Sequence, residues 1–391
     1  MRILHLATYL QGGAGRVLVD LAAAQRAAGH DVAVVVSRSP APDAGYGNHQ
    51  TYLDELVRLE ISTRQVDSMF VRDHAANLAV VRDVAARYPA GREPDVIHTH
   101  AAIPSLVALL FAGARRAPVG IVQTMHGWSG TKTPSQVATD VALMNLVDRV
   151  AVPSRYSADV VASLGVQRSR IAIVPHGVSP ATAAPDLHDR SALRDMARAR
   201  DAGLVVVACV GSAGARRSQR LLVEAIGRMA GPRGVYAVFV GDGDPRDLQQ
   251  AIAAAGLGGR ARVHGYSRAA RRLAAGADAL VLPSRSESQP LVVLEAFCDG
   301  TLVLASGIPE LAELVEDGAT GLQFAVDDAA SLAAALDRLA ALSPSARRAM
   351  TDRARFVQTS RFTTSAMSAH YADLYREPRL EAGRPAATSA A

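Results

Sequence analysis

Glu287 and Glu295 are carboxylates eight residues apart, separated by Ser288-Gln289-Pro290-Leu291-Val292-Val293-Leu294. The apolar run Ala279-Leu280-Val281-Leu282 predicts a strand that ends at Pro283-Ser284. Proline suits a first helical turn, so a helix is expected to open at Pro290. Glu287 then lies in the loop before that helix and Glu295 about one turn inside it. Both can face a helix mouth, where free backbone N–H groups and the dipole favour an anion. Carboxylates that bind hydroxyls, set around an anion site, suit a ligand with both hydroxyls and phosphates, as a nucleotide-sugar has.

Other candidates sit at similar strand-to-helix junctions. Gly12-Gly13-Ala14-Gly15 follows the first strand and lets a backbone approach an anion or sugar closely, although a plain tight turn reads as well. Gly211-Ser212-Ala213-Gly214-Ala215-Arg216-Arg217-Ser218 follows the first strand of the second half. Arg216 or Arg217 there can clamp a diphosphate with charge-assisted bonds, against the alternative of a solvated basic turn. His126-Gly127 ends an apolar strand, where an imidazole can bond sugar hydroxyls or steady developing charge. His98-Thr99-His100 puts two rings on one side of a strand and reads as edge packing, because metal binding needs further ligands. Asp242-Gly243-Asp244 reads as a turn rather than a cation site. In Gly307-Ile308-Pro309-Glu310 the carboxylate is expected to cap the helix that follows.

The elements that must position these residues alternate. In the first half, Arg2–Ala7, Val32–Val36, Asp95–His98, Ile121–Thr124 and Arg149–Val152 are apolar runs separated by helical patterns. In the second half the series is Leu204–Val210, Val235–Val240, Arg262–His264, Ala279–Leu282 and Leu302–Ala305. Such alternation predicts βαβ units and parallel sheets, with ligands beyond the carboxyl ends of the strands. The expected organisation is an α/β fold of two Rossmann-like domains, over 1–178 and 201–355. A linker covers 179–200, a terminal helix over 356–375 packs back on the first domain, and a loose tail runs from 376 to 391. Residues 40–52 and 128–136 read as loops, with Tyr46, His49, Trp128 and Lys132 as candidate acceptor contacts.

Composition narrows the classes. The chain has 391 residues, 49% hydrophobic and 20% charged, which describes an ordered protein with two full cores. Lys132 is the single lysine among 42 basic residues, so a phosphate-gripping cation must almost always be arginine. The formal charge is +5, yet no basic stripe interleaves with aromatics, which argues against nucleic acid as partner. Cys209 and Cys298 read as buried thiols of a reducing compartment. The N-terminus starts a strand at once and the most apolar segment, Leu106 to Gly113, is too short to span a bilayer. A cytoplasmic location is expected, with a peripheral contact at the inner face of the membrane as a further option.

Taken together, these residues resemble the retaining GT-B glycosyltransferases of glycosyltransferase family 4, over nearly the whole chain. The family's E-x7-E motif matches Glu287 and Glu295. The resemblance implies that Glu295 holds the donor ribose, that Glu287 and His126 meet the transferred sugar, and that Gln289, Pro290 and Leu291 line sugar and phosphate. Gly12 and Gly13 match the glycines facing the diphosphate, Gly211 opens the diphosphate loop, and Tyr266 falls where the nucleobase is held. The family's G-R-L-x-x-x-K-G loop departs here: Arg217 replaces the lysine, but Ser212 stands at the arginine, with Arg216 as a neighbouring substitute. Ser288, Gln289 and Leu302 depart as well. The implied reaction is transfer from a UDP- or GDP-sugar to an acceptor hydroxyl with retention, without a metal or other cofactor. A sugar-nucleotide epimerase and a partner subunit that kept the fold but lost catalysis are the alternatives. A phosphorylase using pyridoxal phosphate is excluded, because its lysine belongs in the second domain and Lys132 lies in the first.

Overall fold

The computed structural model describes residues 1–38, 48–67, 69, 72–115, 119–128, 130–180, 183–232 and 234–377. The chain divides into two compact units, Met1–Gly177 with the segment from Thr364, and Val178–Thr363.

The first unit is built on seven parallel strands: β1 (Arg2–Ala7), β2 (Asp31–Ser37), β3 (Ser62–Val66), β4 (Val96–Thr99), β5 (Gly120–Thr124), β6 (Arg149–Val152) and β7 (Ile171–Ile173). Their order is β3-β2-β1-β4-β5-β6-β7, so the topology reverses between β1 and β4. Helices cover both faces, which is why β1 and β2 are apolar almost throughout. Leu4, Leu6, Ile97 and Phe111 pack in one core. The register pairs His5 with His98 and Leu6 with Thr99, so the two histidines share the opposite face.

The second unit has six parallel strands: β8 (Val205–Val210), β9 (Val235–Val240), β10 (Ala261–Gly265), β11 (Ala279–Leu282), β12 (Leu302–Ser306) and β13 (Leu322–Phe324). The order β10-β9-β8-β11-β12-β13 repeats the reversal, now between β8 and β11. Ligand crevices of such sheets open at the carboxyl ends of the two strands flanking the reversal. Those ends carry the 211–218 loop and the 283–290 loop.

Several sequence expectations are corrected. The stretch 179–200 is not a plain linker, since Leu187–Asp201 is a helix of the second unit. Asp186 and Asp189 form a capping box at its start, and Ala192, Met196 and Ala199 make its buried stripe. The expected terminal helix over 356–375 is two helices, Pro344–Arg361 and Thr364–Arg376, broken at Phe362-Thr363. The first stays with the second unit and the second belongs to the first unit. Arg376 ends that last helix, while Arg149 binds Glu377 at 2.6 Å, and the tail beyond it lies outside the described residues. Residues 49–52 are helical rather than loop, and Tyr46 lies outside the described residues. Strands β3, β7 and β13 are short and add to the predicted series. Cys209 is buried, whereas Cys298 is only half-buried.

The apolar segment 106–113 lies within the helix Ala102–Arg115, whose Val107, Ala108 and Phe111 are buried in the core. Among the described residues no helix is long and apolar enough to cross a membrane.

Candidate active site

In the second unit, β8 ends at Val210, and the carbonyl of the next residue, Gly211, accepts from Gln219 Nε2 at 2.9 Å. A Cβ on Gly241 would stand 2.0 Å from that same carbonyl, so the β9 turn can only pass β8 as glycine. Arg216 and Arg217 occupy a single 3-10 turn, and Ser218 follows with φ 46°, a left-handed conformation that suits glycine better. This turn aims both guanidinium groups at the 283–290 loop. Arg217 Nη1 bonds Glu287 Oε1, and Arg216 Nη1 reaches Glu287 Oε2 at 3.3 Å and Ser286 O at 3.0 Å. The Glu287 side chain is only 4% exposed, against 21% for Arg217 and 55% for Arg216. A buried carboxylate thus meets two cations at the strand ends where the sheet reverses. Sequence reasoning predicted each of the three but not that they meet.

Glu287 is held from behind as well. Its backbone N–H donates to Glu310 Oε1 at 3.2 Å, and Glu310 is buried. Glu310 therefore does not cap its own short helix, Pro309–Ala312, as expected; that helix has no side-chain cap. The helix Leu291–Asp299 starts one residue later than predicted, with Pro290 as its N-cap. Gln289 and Leu291 are buried at its mouth, and Glu295 lies half-buried on its second turn.

Beside this corner is a cavity of about 370 Å³, lined by Gly211, Gln219, Asp242, Gly243, His264 and Tyr266 among others. Tyr266 is 44% exposed and follows Gly265 at φ 82°. The turn is supported by the helix that the sequence left as linker. Asp189 Oδ1 accepts from His264 Nε2 at 2.9 Å and from Ser267 Oγ at 2.7 Å, while His188 stacks on His264 at 4.1 Å. Burial pushes the Asp189 carboxyl up, but the hydrogen bonds from Ser267, the Asp186 region and His264 outweigh it, and the group sits below its ordinary value. Asp244 instead chelates Arg246 through four hydrogen bonds, as fits a turn.

In the first unit Gly12 opens the helix Gly12–Ala27 at φ 51°, with open space where a Cβ would stand. Gly13 continues the same exposed first turn. Gly15 is a packing glycine, since a Cβ there would come within 2.8 Å of Tyr52. His126 lies two residues beyond β5 and belongs to a group that the sequence showed only in part. His126 Nε2 meets His100 Nδ1 at 2.9 Å, His100 Nε2 meets His5 Nδ1 at 3.0 Å, and His5 Nε2 meets Gln25 Oε1 at 2.7 Å. Gln25 Nε2 donates to Tyr375 at 3.0 Å, Tyr375 meets His98 Nδ1 at 2.6 Å, and His98 Nε2 meets Thr124 at 2.7 Å. Thr124 in turn bonds Tyr371 at 2.6 Å. Burial lowers His5 and His126 to about 4 and holds His98, His100 and His176 well below the ordinary value. All five are neutral at pH 7.

His5, His98 and His100 offer ring nitrogens within 4.8 Å of one another, a trio the i, i+2 spacing of His98 and His100 only hinted at. Each of their six ring nitrogens already has a protein partner in the chain of bonds above, so the trio is a hydrogen-bonded wire. Of the loop candidates, His49 is buried and its Nδ1 accepts the Leu10 N–H at 3.1 Å. Lys132 lies 4.0 Å over the Trp128 ring and bonds the buried Asp140 at 2.6 Å, which Arg72 also meets at 2.7 Å.

Residues 11–182 match the family model of Glycosyltransferase Family 4, and residues 205–341 match that of Glycosyl transferases group 1. A D-inositol 3-phosphate glycosyltransferase of Kribbella flavida is 30% identical over 293 residues, 67% of this chain and 68% of the relative. The chain belongs to glycosyltransferase family 4. A glycogen synthase of Mycobacterium tuberculosis is 28% identical over 93% of this chain and 91% of its own. The family relationship makes the protein a glycosyltransferase. Its fold is that of GT-B enzymes. Anabaena Alr3699/HepE, solved with UDP and glucose, superposes at TM-score 0.78 with 19% identity, covering 96% of this chain and 99% of that one. Sucrose-phosphate synthase from Thermosynechococcus elongatus gives 0.75 at 20% identity over 96% and 98%.

Proposed function

We propose that this glycosyltransferase moves a sugar from a nucleoside-diphosphate donor, a UDP- or GDP-sugar, to an acceptor hydroxyl with retention of configuration. The observation that carries the reading is the buried Glu287 carboxylate gripped by Arg216 and Arg217, at the sheet reversal and beside the Tyr266 cavity. Solved neighbours hold UDP and UDP-glucose, which supports a nucleotide-sugar here.

In this reading the base rests by Tyr266 and the ribose hydroxyls bond Glu295. The diphosphate takes over the Arg216 and Arg217 guanidinium groups together with the amides at the mouth of the Leu291–Asp299 helix. Glu287, relieved of part of that pairing, accepts hydrogen bonds from hydroxyls of the transferred sugar. The bond from the anomeric carbon to the diphosphate breaks, a bond to the acceptor oxygen forms on the same face, and the acceptor proton passes to the departing phosphate. The arginines and helix amides stabilise that leaving charge, so we assign no metal to the reaction. We place the enzyme in the cytoplasm, with a peripheral membrane contact if its acceptor is lipid-borne.

The test is nucleoside diphosphate release across UDP-, GDP-, ADP- and TDP-sugars, with the anomeric configuration of the product read by NMR. Glu295→Ala and Arg217→Ala should each lower turnover at least about a hundredfold, the loss typical of a transition-state contact. If both variants turn over like the parent, the site is misassigned; an inverted product removes retention alone.

A further inference from the structure

The first unit also holds a buried carboxylate shared by two cations. Asp140, on the helix Pro134–Met144, has a side chain only 3% exposed. Its Oδ1 accepts from Arg72 Nη2 at 2.7 Å and its Oδ2 from Lys132 Nζ at 2.6 Å. Lys132 lies 4.0 Å over the ring of Trp128, which itself packs against the core of that unit. The two cations stay partly open, 36% for Arg72 and 26% for Lys132.

One carboxylate needs only one cation for neutrality. With two, the cluster keeps a net positive charge, and the carboxylate and the aromatic face fix where that charge sits. Donors are left over as well. An ammonium carries three N–H groups and a guanidinium five, and one of each is spent on Asp140. The polar side chains beside the two cations are committed to caps. Asp73 accepts from Ala76 N–H at 2.7 Å at the start of the helix His74–Arg87, and Thr133 forms a capping box with Gln136. Arg72 stands in the connection that follows β3, and Trp128 and Lys132 in the one that follows β5. Both connections leave the carboxyl ends of parallel strands, where ligands of such sheets bind. A phosphomonoester brings a charge of about −1.5 to −2 at pH 7 and three acceptor oxygens. It can therefore meet an arginine fork and an ammonium together, whereas a carboxylate offers two oxygens and a single charge.

We propose that Arg72 and Lys132, pinned by Asp140 and Trp128, form a phosphate site on the first unit that takes a phosphomonoester, the charged group of a phosphorylated acceptor. The acceptor half of this statement rests on the function proposed above; the anion half does not.

Calorimetry with inorganic phosphate tests the site on the full-length protein at pH 7.5 and constant ionic strength. An Arg217→Ala background weakens competition from the cations of the second unit. Phosphate should bind, and Arg72→Met or Lys132→Met should each weaken it about tenfold to a hundredfold, the value of one charge-assisted hydrogen bond. Either change leaves Asp140 its other partner, so the fold should survive. Lys132→Arg keeps the charge and should keep the affinity. Absence of phosphate binding, or binding that neither methionine variant weakens, overturns the site. Flotation with phosphatidylcholine vesicles carrying phosphatidic acid separates the sources of the group. Vesicle binding lost in Lys132→Met assigns it to a lipid headgroup, and no flotation assigns it to a soluble acceptor. Nucleoside diphosphate release by the unaltered protein should then be faster with sugar and polyol phosphates than with their neutral counterparts, and Lys132→Met should erase that difference. Equal release removes the acceptor role. No release from any donor overturns the proposed function instead and leaves the site to the calorimetry.

Discussion

Five neutral histidines in one unit make its stability depend steeply on pH. His5 and His126 have pKa values lowered to about 4 by burial, and His98, His100 and His176 lie well below 6.5 for the same first cause. Unfolding returns each ring to about 6.5. Between those limits the unfolded chain binds protons that the folded chain refuses, so stability falls as pH falls. It is complete above about pH 7 and is lost through the window from about 6.5 towards 4. At pH 5.5 one such histidine costs RT ln(1 + 10), about 1.4 kcal/mol. His5 and His126 together therefore cost about 3 kcal/mol, against a total stability of about 5–15 kcal/mol for a domain, and His98, His100 and His176 act in the same direction. Carboxylates with lowered values, such as Asp189 and Asp317, keep their contribution down to more acid pH and do not compete in this window. The chain has one tryptophan, Trp128, and it lies in the first unit, so its fluorescence during urea or thermal unfolding reports that unit. From pH 7.5 to 5.5 the stability so measured should fall by at least about 3 kcal/mol and the melting temperature by at least about 6 °C. His5→Gln should recover about 1.4 kcal/mol of the pH-dependent part, whatever it does to the absolute value. A change under about 1 kcal/mol across this range would refute the claim that these rings are buried neutral.

Three further changes test the second unit. Ser218→Gly relieves a left-handed serine and should raise stability by about 1 kcal/mol in urea denaturation; a neutral or lower value removes the strain argument. Gly241→Ala places a methyl 2.0 Å from the Gly211 carbonyl and should cost more than about 2 kcal/mol, whereas normal stability would show that the two turns are looser than described. Asp189→Ala strips His264 and Ser267 of their shared acceptor; about 1–3 kcal/mol should be lost and nucleoside diphosphate affinity should drop, with unchanged affinity arguing that the Tyr266 turn does not depend on this support.

The alternation of apolar runs with helical patterns and the Glu287–Glu295 spacing were readable from local order alone. Strand periodicity and turn chemistry involve neighbours a few residues apart, which is why the two parallel sheets and the family resemblance came from the chain directly. The linker assigned to 179–200 shows the limit of that reading: Pro and Ala at its start hid the Asp186–Asp189 capping box and the helix behind it. The paired partners were beyond it altogether. Arg217 and Glu287 are 70 residues apart, and they meet because β8 and β11 are neighbours at the point where the sheet reverses. His126 looked like one imidazole at a strand end. It is joined by hydrogen bonds to His100 from beyond β4, and through it to His5 from β1 and Gln25 from the first helix. Residue types and spacings named the candidate groups; which of them touch follows from strand order and burial, and these are properties of the folded chain.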